Sequence, residues 1–294
     1  MFSRRHPFLF TVLVLAALST LGAIFLSIMV MTVTGRTKGY KGEAVGVVEI
    51  VGAIIDSSSV LEQIKEFREE DNIKAIVVRI DSPGGGVGPS QEIYREIRKT
   101  SGEKKVIASM GAVAASGGYY VAAACDGIVA NPGTITGSIG VVMGYTNIEA
   151  LLEKIGLSPV VVKSGEFKDI GSPVRPMSKE EKQLLEQVIQ TIHRQFIEDI
   201  AAGRNIESSQ VKAIADGRIF TGEDAQSFGL VDRLGNLEDA VQWAGELGGI
   251  EGKIETIYPE KERLSLLRYF MESALQILTD WRAGIRISPP QARM

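Results

Sequence analysis

The sequence predicts an α/β protein with a mainly parallel sheet, preceded by one transmembrane helix and followed by one amphipathic helix. Three observations lead to this prediction. Residues 8–33 form an uncharged apolar run, short runs rich in Val and Ile alternate with helical stretches from residue 45, and apolar residues recur at helical spacing after residue 260. Strands that alternate with helices favour a parallel sheet joined by right-handed crossovers.

The composition is that of a globular protein with little cysteine or histidine. Of the 294 residues, 45% are hydrophobic and 23% are charged, and the formal net charge is −4. Because no long basic run is present, nucleic acid is not an expected partner. The single cysteine, Cys125, excludes an intramolecular disulfide and a cysteine-rich metal site. Only His6 and His193 carry imidazole, so a hydrolase with this sequence would have to move protons largely without histidine.

The N-terminal apolar run is interpreted as an uncleaved, single-span membrane anchor. Its 26 uncharged positions, residues 8–33, would extend ~39 Å as a helix, which exceeds the ~30 Å hydrocarbon core of a bilayer. A secretory signal has an apolar core of only ~7–15 residues and a small-residue cleavage site, so a cleaved signal is the weaker alternative. Basic residues stand on both sides of the run, and their count does not decide the orientation.

The rest of the chain divides into short strands and longer helices. Strands are predicted at residues 45–55, 75–80, 106–109, 127–131, 139–143 and 159–163, and helices at 60–68, 90–98, 119–125 and 148–155. A long helix should begin after Ser178, which can form a capping box with Glu181, and should stop at Gly203. Asn236 should cap a further helix that runs through Trp243.

These elements predict four segments. They are a stub and anchor at 1–34, a linker at 35–43, a main domain at 44–258 and a helix with a polar tail at 259–294. The last helix is predicted from apolar residues three or four positions apart, namely Leu264, Leu267, Met271, Ala274, Leu278 and Trp281. Packing on the core or on a partner subunit is favoured for it over binding to a membrane surface.

A glycine-rich turn is the first candidate for chemistry. Residues 81–86 follow an apolar strand, and three consecutive glycines in this turn allow a tight backbone with exposed N–H groups. Such groups can hold a phosphate or stabilise an oxyanion. The sequence contains neither of the common glycine-rich phosphate motifs, so the open alternatives are an oxyanion site and a plain turn.

Ser116 is the candidate nucleophile. It stands between small residues where a loop enters the helix predicted at 119–125, and the N–H of Gly117 could join one from the glycine turn. The alternative is that Ser116 only caps this helix. A Ser-His-Asp triad is poorly supported, because His6 precedes the anchor and His193 adjoins the apolar stripe of a helix.

A lysine could activate this serine, provided that burial lowers its pKa toward neutrality. Lys168 stands in a turn-rich loop, and Ser138, in a second small-residue turn, could orient its amine. The alternatives are an ordinary exposed lysine and an ordinary turn serine.

Four segments in this order, residues 81–86, 109–120, 136–140 and 164–169, resemble signal peptide peptidases of the SppA type in their short, single-repeat form. Residues 215–222 and 229–235 agree with the same family, and the likeness covers roughly residues 45–248. The resemblance implies a fold similar to the subunits of Clp protease and crotonase, built from repeated ββα units.

The resemblance also implies the roles of the candidate residues. Ser116 would be the nucleophile and Lys168 the general base, with Ser138 orienting the lysine and the N–H groups of Gly85 and Gly117 forming the oxyanion hole. It implies a homo-oligomer at the cytoplasmic (inner) membrane with its catalytic domain outside the cytoplasm. The expected activity is a serine endopeptidase for spent signal peptides and similar hydrophobic peptides, without metal or cofactor.

Three alternatives remain open. A scaffold or binding protein on the same fold would leave Ser116 unreactive toward serine-directed probes. An acyl-CoA enzyme of the crotonase type would also use paired backbone amides, but it would not explain the anchor or the spacing of Ser116 and Lys168. Within the peptidases, the substrates could be particular membrane proteins.

Overall fold

A computed structural model of the protein describes residues 6–33 and 42–259, and the chain divides into two units between Gly42 and Glu43. The amphipathic helix predicted after residue 260 lies outside the described residues.

The first unit is a single helix. Helix α1 (Pro7–Val33) contains a window, Pro7–Phe25, with a mean hydropathy of 2.4 and no buried residue. By its length and composition it is able to cross a membrane. It is the one such helix in the described part of the chain, and a signal sequence near the N-terminus would have the same properties.

The second unit is built around a sheet in which eight strands are described. The strands are β1 (Ala44–Val51), β2 (Ile73–Ser82), β3 (Lys105–Ala115), β4 (Gly127–Ala130), β5 (Ile135–Gly137), β6 (Ile219–Phe220), β7 (Arg233–Leu234) and β8 (Glu255–Ile257). Their order is β6-β5-β3-β2-β1-β8, with β4 between β3 and β7. All pairs are parallel except β5 with β6. The predicted α/β class is confirmed.

Helices cover both faces of this sheet. They are α2 (Ser58–Glu69), α3 (Val87–Thr100), α4 (Gly117–Ala122), α5 (Glu149–Lys154), α6 (Lys179–Arg204), α7 (Ser208–Ile214), α8 (Gly222–Ser227) and α9 (Leu237–Leu247). One apolar cluster lies between the sheet and α2, α3 and α4, while a smaller one lies under α9. The capping box predicted at Ser178 and the helix cap predicted at Asn236 are confirmed.

Strand β3 positions the site because its two halves pair with different strands. Residues 107–110 pair with β4, and residues 113–115 pair with β5. The last pair joins Ala115 to Gly137. The residues that follow, Ser116 and Ser138, therefore leave the sheet at neighbouring strand ends.

Two strand predictions were wrong. Residues 139–143 and 159–163 have no regular secondary structure, although both segments are rich in Val. Strand β5 lies just before the first of them, and the positive φ values of Gly137 and Ser138, 77° and 51°, then turn the chain out of the sheet. The apolar side chains beyond this turn are mostly exposed, and strand residues need neighbours on a pleated surface.

The predicted stop at Gly203 was wrong by one residue. Helix α6 continues to Arg204 and is capped by Asn205 in the left-handed conformation, with φ 53°. Gly203 serves a different purpose, because a Cβ at this position would lie 2.0 Å from the carbonyl oxygen of Ala123. The glycine permits α6 to pass close to the end of α4.

Candidate active site

Ser116 has a strained backbone at the carboxyl end of β3. Its φ of 52° and ψ of −119° are unusual for a residue with a side chain. Among the described residues, only Ser116, Ser138 and Asn205 combine a side chain with positive φ, and Asn205 is a helix cap. Such strain costs about 1–3 kcal/mol and is concentrated at functional sites. Ser116 and Ser138, both singled out from the sequence, are therefore the two strained serines of the fold.

The Ser116 hydroxyl does not cap α4. Its side chain makes no capping hydrogen bond, while its N–H donates to the carbonyl oxygen of Gly137 at 2.9 Å. The backbone is therefore fixed to the end of β5. The alternative that Ser116 is only a helix cap lacks support.

The start of α4 packs directly on the glycine turn. A Cβ at Gly84, whose φ is 99°, would lie 2.6 Å from the nitrogen of Gly117 and 2.9 Å from the Cβ of Ser116. A Cβ at Gly117 would lie 3.2 Å from the nitrogen of Gly85 and 2.5 Å from the Oγ of Ser90. Only glycine permits this approach, which brings the two predicted oxyanion donors together.

The two amides are free to act as donors. Ile54 holds the turn on both sides of Gly85, because its N–H donates to the oxygen of Gly84 at 2.9 Å and its carbonyl accepts from the N–H of Gly86 at 2.8 Å. Neither the N–H of Gly85 nor that of Gly117 donates to a described residue. Two unbonded backbone donors beside a serine can stabilise the oxyanion of a tetrahedral intermediate.

Ser138 is half-buried next to this arrangement. Its N–H donates to the carbonyl oxygen of Arg218 at 2.7 Å. Because Gly137 accepts from the N–H of Ser116, Ser138 is separated from the nucleophile by one backbone hydrogen bond. The structure thus brings Gly85, Ser116, Gly117 and Ser138 together.

Lys168 is the predicted site residue that has no hydrogen bond to this group within the described part of the chain. It lies in a turn where its N–H donates to the carbonyl oxygen of Gly165 at 3.2 Å, and the residue is exposed. Within residues 6–33 and 42–259, its ammonium forms no hydrogen bond with Ser116 or Ser138. Its role as the base stays a prediction.

A cluster of charged residues beside Lys168 was missed by the sequence reasoning. Arg175 donates to the carboxylates of Asp169 and Glu181 and to the carbonyl oxygen of Pro176. These hydrogen bonds hold the pKa of Asp169 well below its usual range and lower the pKa of Glu181 to about 2. The available signal was Glu181, already recognised in its capping box, since its carboxylate had room for another donor.

Three other residues with side chains that could carry chemistry, Tyr119, Cys125 and His193, lie outside this arrangement. Tyr119 is buried, and its hydroxyl donates to the carbonyl oxygen of Leu230 at 3.0 Å. Burial strongly raises the pKa of the Cys125 thiol, so it is not a reactive thiolate. His193 lies in α6, and its Nε2 is buried without a hydrogen-bond partner among the described residues.

An α/β fold in which a strained serine stands beside two unbonded amide donors has the features of a serine hydrolase. The model of peptidase family S49 matches residues 98–251, which is more than half of the chain, and the model of Clp protease matches residues 46–134. The chain belongs to peptidase family S49, and it is a serine peptidase. The expected resemblance to SppA-type peptidases and the expected Clp-like fold are both confirmed.

Curated relatives agree with this family. A protein of Synechocystis sp., provisionally named a protease, is 50% identical over 206 residues, which cover 69% of this chain and 74% of that protein. The chloroplastic serine protease SPPA of Arabidopsis thaliana is 38% identical over 216 residues, which cover 73% of this chain and 32% of that protein. A protein of Enterococcus faecium, provisionally named signal peptide peptidase SppA, is 39% identical over 182 residues, or 62% of this chain and 53% of that protein.

Proposed function

We propose that the protein is a membrane-anchored endopeptidase that degrades cleaved signal peptides and similar hydrophobic peptides through a Ser116–Lys168 dyad. The observation that carries this proposal is the strained Ser116 beside the free N–H groups of Gly85 and Gly117. Family membership supports peptide substrates. The dyad itself is an inference from the sequence.

The proposed reaction is acyl transfer. The neutral amine of Lys168 takes the proton of the Ser116 hydroxyl, and the serine oxygen attacks the scissile carbonyl carbon. The resulting oxyanion accepts hydrogen bonds from Gly85 and Gly117. The lysine ammonium then gives its proton to the departing amine. A water molecule, deprotonated by the same lysine, cleaves the acyl-enzyme and returns the serine to its resting state.

Assembly into a homo-oligomer is part of the proposal, because the segment around Lys168 is strongly apolar and exposed. Val160 and Val162 are 87% and 94% exposed. Further exposed apolar side chains of the same segment are Val142, Met143, Tyr145, Leu151, Ile155, Leu157, Val161 and Phe167. Large exposed apolar patches mark interaction surfaces. A second copy on this surface would remove Lys168 from solvent and exclude water from the site.

Anchoring in the membrane would hold the active site close to its substrate. Helix α1 has the length and composition of an anchor, and spent signal peptides are apolar segments that remain in the bilayer. We infer a single-pass protein of the cytoplasmic membrane, anchored through residues 8–33, with the peptidase domain at 44–258 on the extracytoplasmic side. The side follows from the resemblance to SppA-type peptidases.

The deciding experiment uses the full-length protein in detergent. We would measure cleavage of a quenched apolar peptide and labelling by a fluorophosphonate probe for the wild type, Ser116→Ala and Lys168→Ala. Both variants should lose both signals while they keep the wild-type melting temperature. Wild-type labelling of the Lys168→Ala variant would disprove the dyad.

Mixed assemblies would show which protomer supplies the lysine. If activity returns when Ser116→Ala and Lys168→Ala chains are co-expressed, the lysine of one protomer serves the serine of its neighbour. The scaffold alternative predicts no labelling of the wild type. The acyl-CoA alternative loses support, because the matching family is a family of peptidases.

A further inference from the structure

Arg175 joins two carboxylates on either side of it in the sequence. Its Nε and Nη2 donate to the two carboxylate oxygens of Asp169 at 2.8 and 2.9 Å. Its Nη1 donates to Oε2 of Glu181 at 2.9 Å, while Nη2 also donates to Oε1 of the same residue. A planar guanidinium suits two bidentate carboxylates, whereas a lysine ammonium does not.

One end of this cluster is fixed to a helix. Glu181 lies in the first turn of α6 and is only 3% exposed. The same carboxylate accepts from the N–H of Ser178 at 2.8 Å, which completes the capping box. Because a buried carboxylate must be paired, Arg175 is bound to a rigid point of the fold.

The other end is the turn that carries Lys168. Asp169 is the next residue, and its carboxylate also accepts from Nζ of Lys163 at 2.7 Å. The same ammonium donates to the carbonyl oxygen of Glu166 at 2.7 Å. Asp169 is therefore held by two cations, one on each side of the turn.

We propose that Arg175 is a positioning residue for the general base: it ties the turn that bears Lys168 to the start of α6 and, with Lys163, neutralises the carboxylate of Asp169. The inference rests on the proposed role of Lys168. It explains how a base can be placed accurately on a segment without regular secondary structure.

The charge is as important as the geometry. An uncompensated carboxylate next to Lys168 would favour its ammonium form, which cannot accept a proton from Ser116. The charged side chains within this cluster are Lys163, Asp169, Arg175 and Glu181, which together carry no net charge. Glu166 is the other charged residue of the turn, and no hydrogen bond of its side chain to a described residue is present.

An ordinary surface ion pair offers a direct contrast. Arg194 and Glu198 lie one turn apart on α6, and both side chains are more than half exposed. Such a pair contributes little, and in the described part of the chain neither residue makes a hydrogen bond to the turn that carries Lys168. Arg194→Gln is therefore the matched control for Arg175→Gln, since each removes one positive charge from an ion pair.

The test compares wild type, Lys168→Ala, Arg175→Gln and Arg194→Gln as full-length proteins, with kcat, KM and their pH dependence measured on one apolar peptide. Arg175→Gln should lower kcat roughly 10- to 100-fold with little change in KM, because displacing a catalytic group by about 1 Å has an effect of this size. The acid limb of the pH–rate profile of Arg175→Gln should move to higher pH. Arg194→Gln should match the wild type.

Asp169→Asn supplies the second test, and it also serves if Arg175→Gln fails to fold. Removing this carboxylate leaves Arg175 and Lys163 beside Lys168, so the acid limb should move to lower pH. Opposite shifts for the two variants are the signature of an electrostatic effect on Lys168, which a purely structural role would not produce.

Failure of the inference and failure of the proposed function give different results. If Lys168→Ala is inactive while Arg175→Gln behaves like Arg194→Gln, or if Asp169→Asn shifts the profile upward, the positioning role is disproved and the dyad stands. If Lys168→Ala keeps wild-type activity, the dyad and the positioning role fail together.

Discussion

The serine side and the lysine side of the candidate site are built in different ways. Ser116, Gly117 and Ser138 leave paired strands, and Gly84 packs against Ser116 and Gly117 so closely that no Cβ fits on it. Lys168 lies between residues 141 and 178, where the chain has only the short helix α5 and exposes much of its apolar surface.

This difference teaches how the two halves are stabilised. The serine half is fixed within one chain by backbone hydrogen bonds and close packing, so it is complete before any substrate binds. The lysine half contains an ionic cluster, and its exposed apolar surface would be covered in the proposed assembly. Catalysis by the dyad would then depend on assembly.

The largest effect is expected from replacing the nucleophile. Ser116→Gly should reduce peptide hydrolysis by roughly 10⁴-fold or more, as for other serine nucleophiles. Because glycine adopts positive φ without strain, the same change should raise stability by about 1 kcal/mol. Activity and chemical denaturation of Ser116→Gly and Ser116→Ala would be compared. If Ser116→Gly is no more stable than Ser116→Ala, the backbone at residue 116 is not strained.

The next effect concerns the oxyanion donors. Gly84→Ala would push a methyl group to within 2.6 Å of the Gly117 nitrogen, so kcat should fall by about 10²–10³. Gly133→Ala is the control, because its Cβ would meet nothing within 4 Å. Steady-state kinetics of both variants would test this. Equal activity of the two would show that the two amides do not act as oxyanion donors.

A smaller effect is expected from charging the apolar segment. Val162→Asp should weaken assembly and lower specific activity at low protein concentration by roughly tenfold, since a buried unpaired charge opposes association. Leu247→Asp alters an exposed apolar residue at the end of α9 and should change neither property. Light scattering would measure the assembly state, and specific activity would be measured as a function of protein concentration. If Val162→Asp assembles like the wild type, the apolar segment is not the oligomer interface.

The smallest effect is a local response to acid. The pKa of Asp169 is depressed and that of Glu181 is lowered to about 2, so both contribute stability that is fully present above their unfolded pKa values near 4. The contribution of Glu181 should be lost as pH falls from about 4 to about 2, and that of Asp169 is lost fully only at still lower pH. Cleavage of residues 163–178 by pepsin should rise more steeply over this range in the wild type than in Arg175→Gln, whose cleavage reports mainly the pH dependence of pepsin itself.

The sequence indicated much of the fold because local signals agreed with the tertiary structure. The strands predicted at 75–80 and 106–109 lie within β2 and β3, since Val- and Ile-rich runs between helices favour buried parallel strands. The same rule failed at 159–163. Residue pattern indicates that a segment is able to form a strand, but a strand also needs a neighbour with which to pair. No adjacent strand is present there among the described residues.

The candidate site was predictable to the same extent. Close packing of backbone requires small residues, and a requirement for small residues is visible in the sequence. The small residues around Ser116 and the consecutive glycines at 84–86 are of this kind. The Arg175 cluster gave no steric signal, and only the capping role of Glu181 was visible in the sequence. Arg175 stands six residues from Asp169 and from Glu181, a separation that follows no helical or strand period, so these residues come into contact only after the chain folds.

Residue types and their local spacing were thus sufficient for the α/β class, the apolar helix α1, the family and the serine half of the site. The tertiary structure alone revealed the strain at Ser116, the contact between two turns more than 30 residues apart, and the ionic link from Asp169 to Glu181. The physical reason is that backbone strain and charge pairing depend on distances in space. Those distances are set by the packing of the whole sheet, and no local window of sequence contains them.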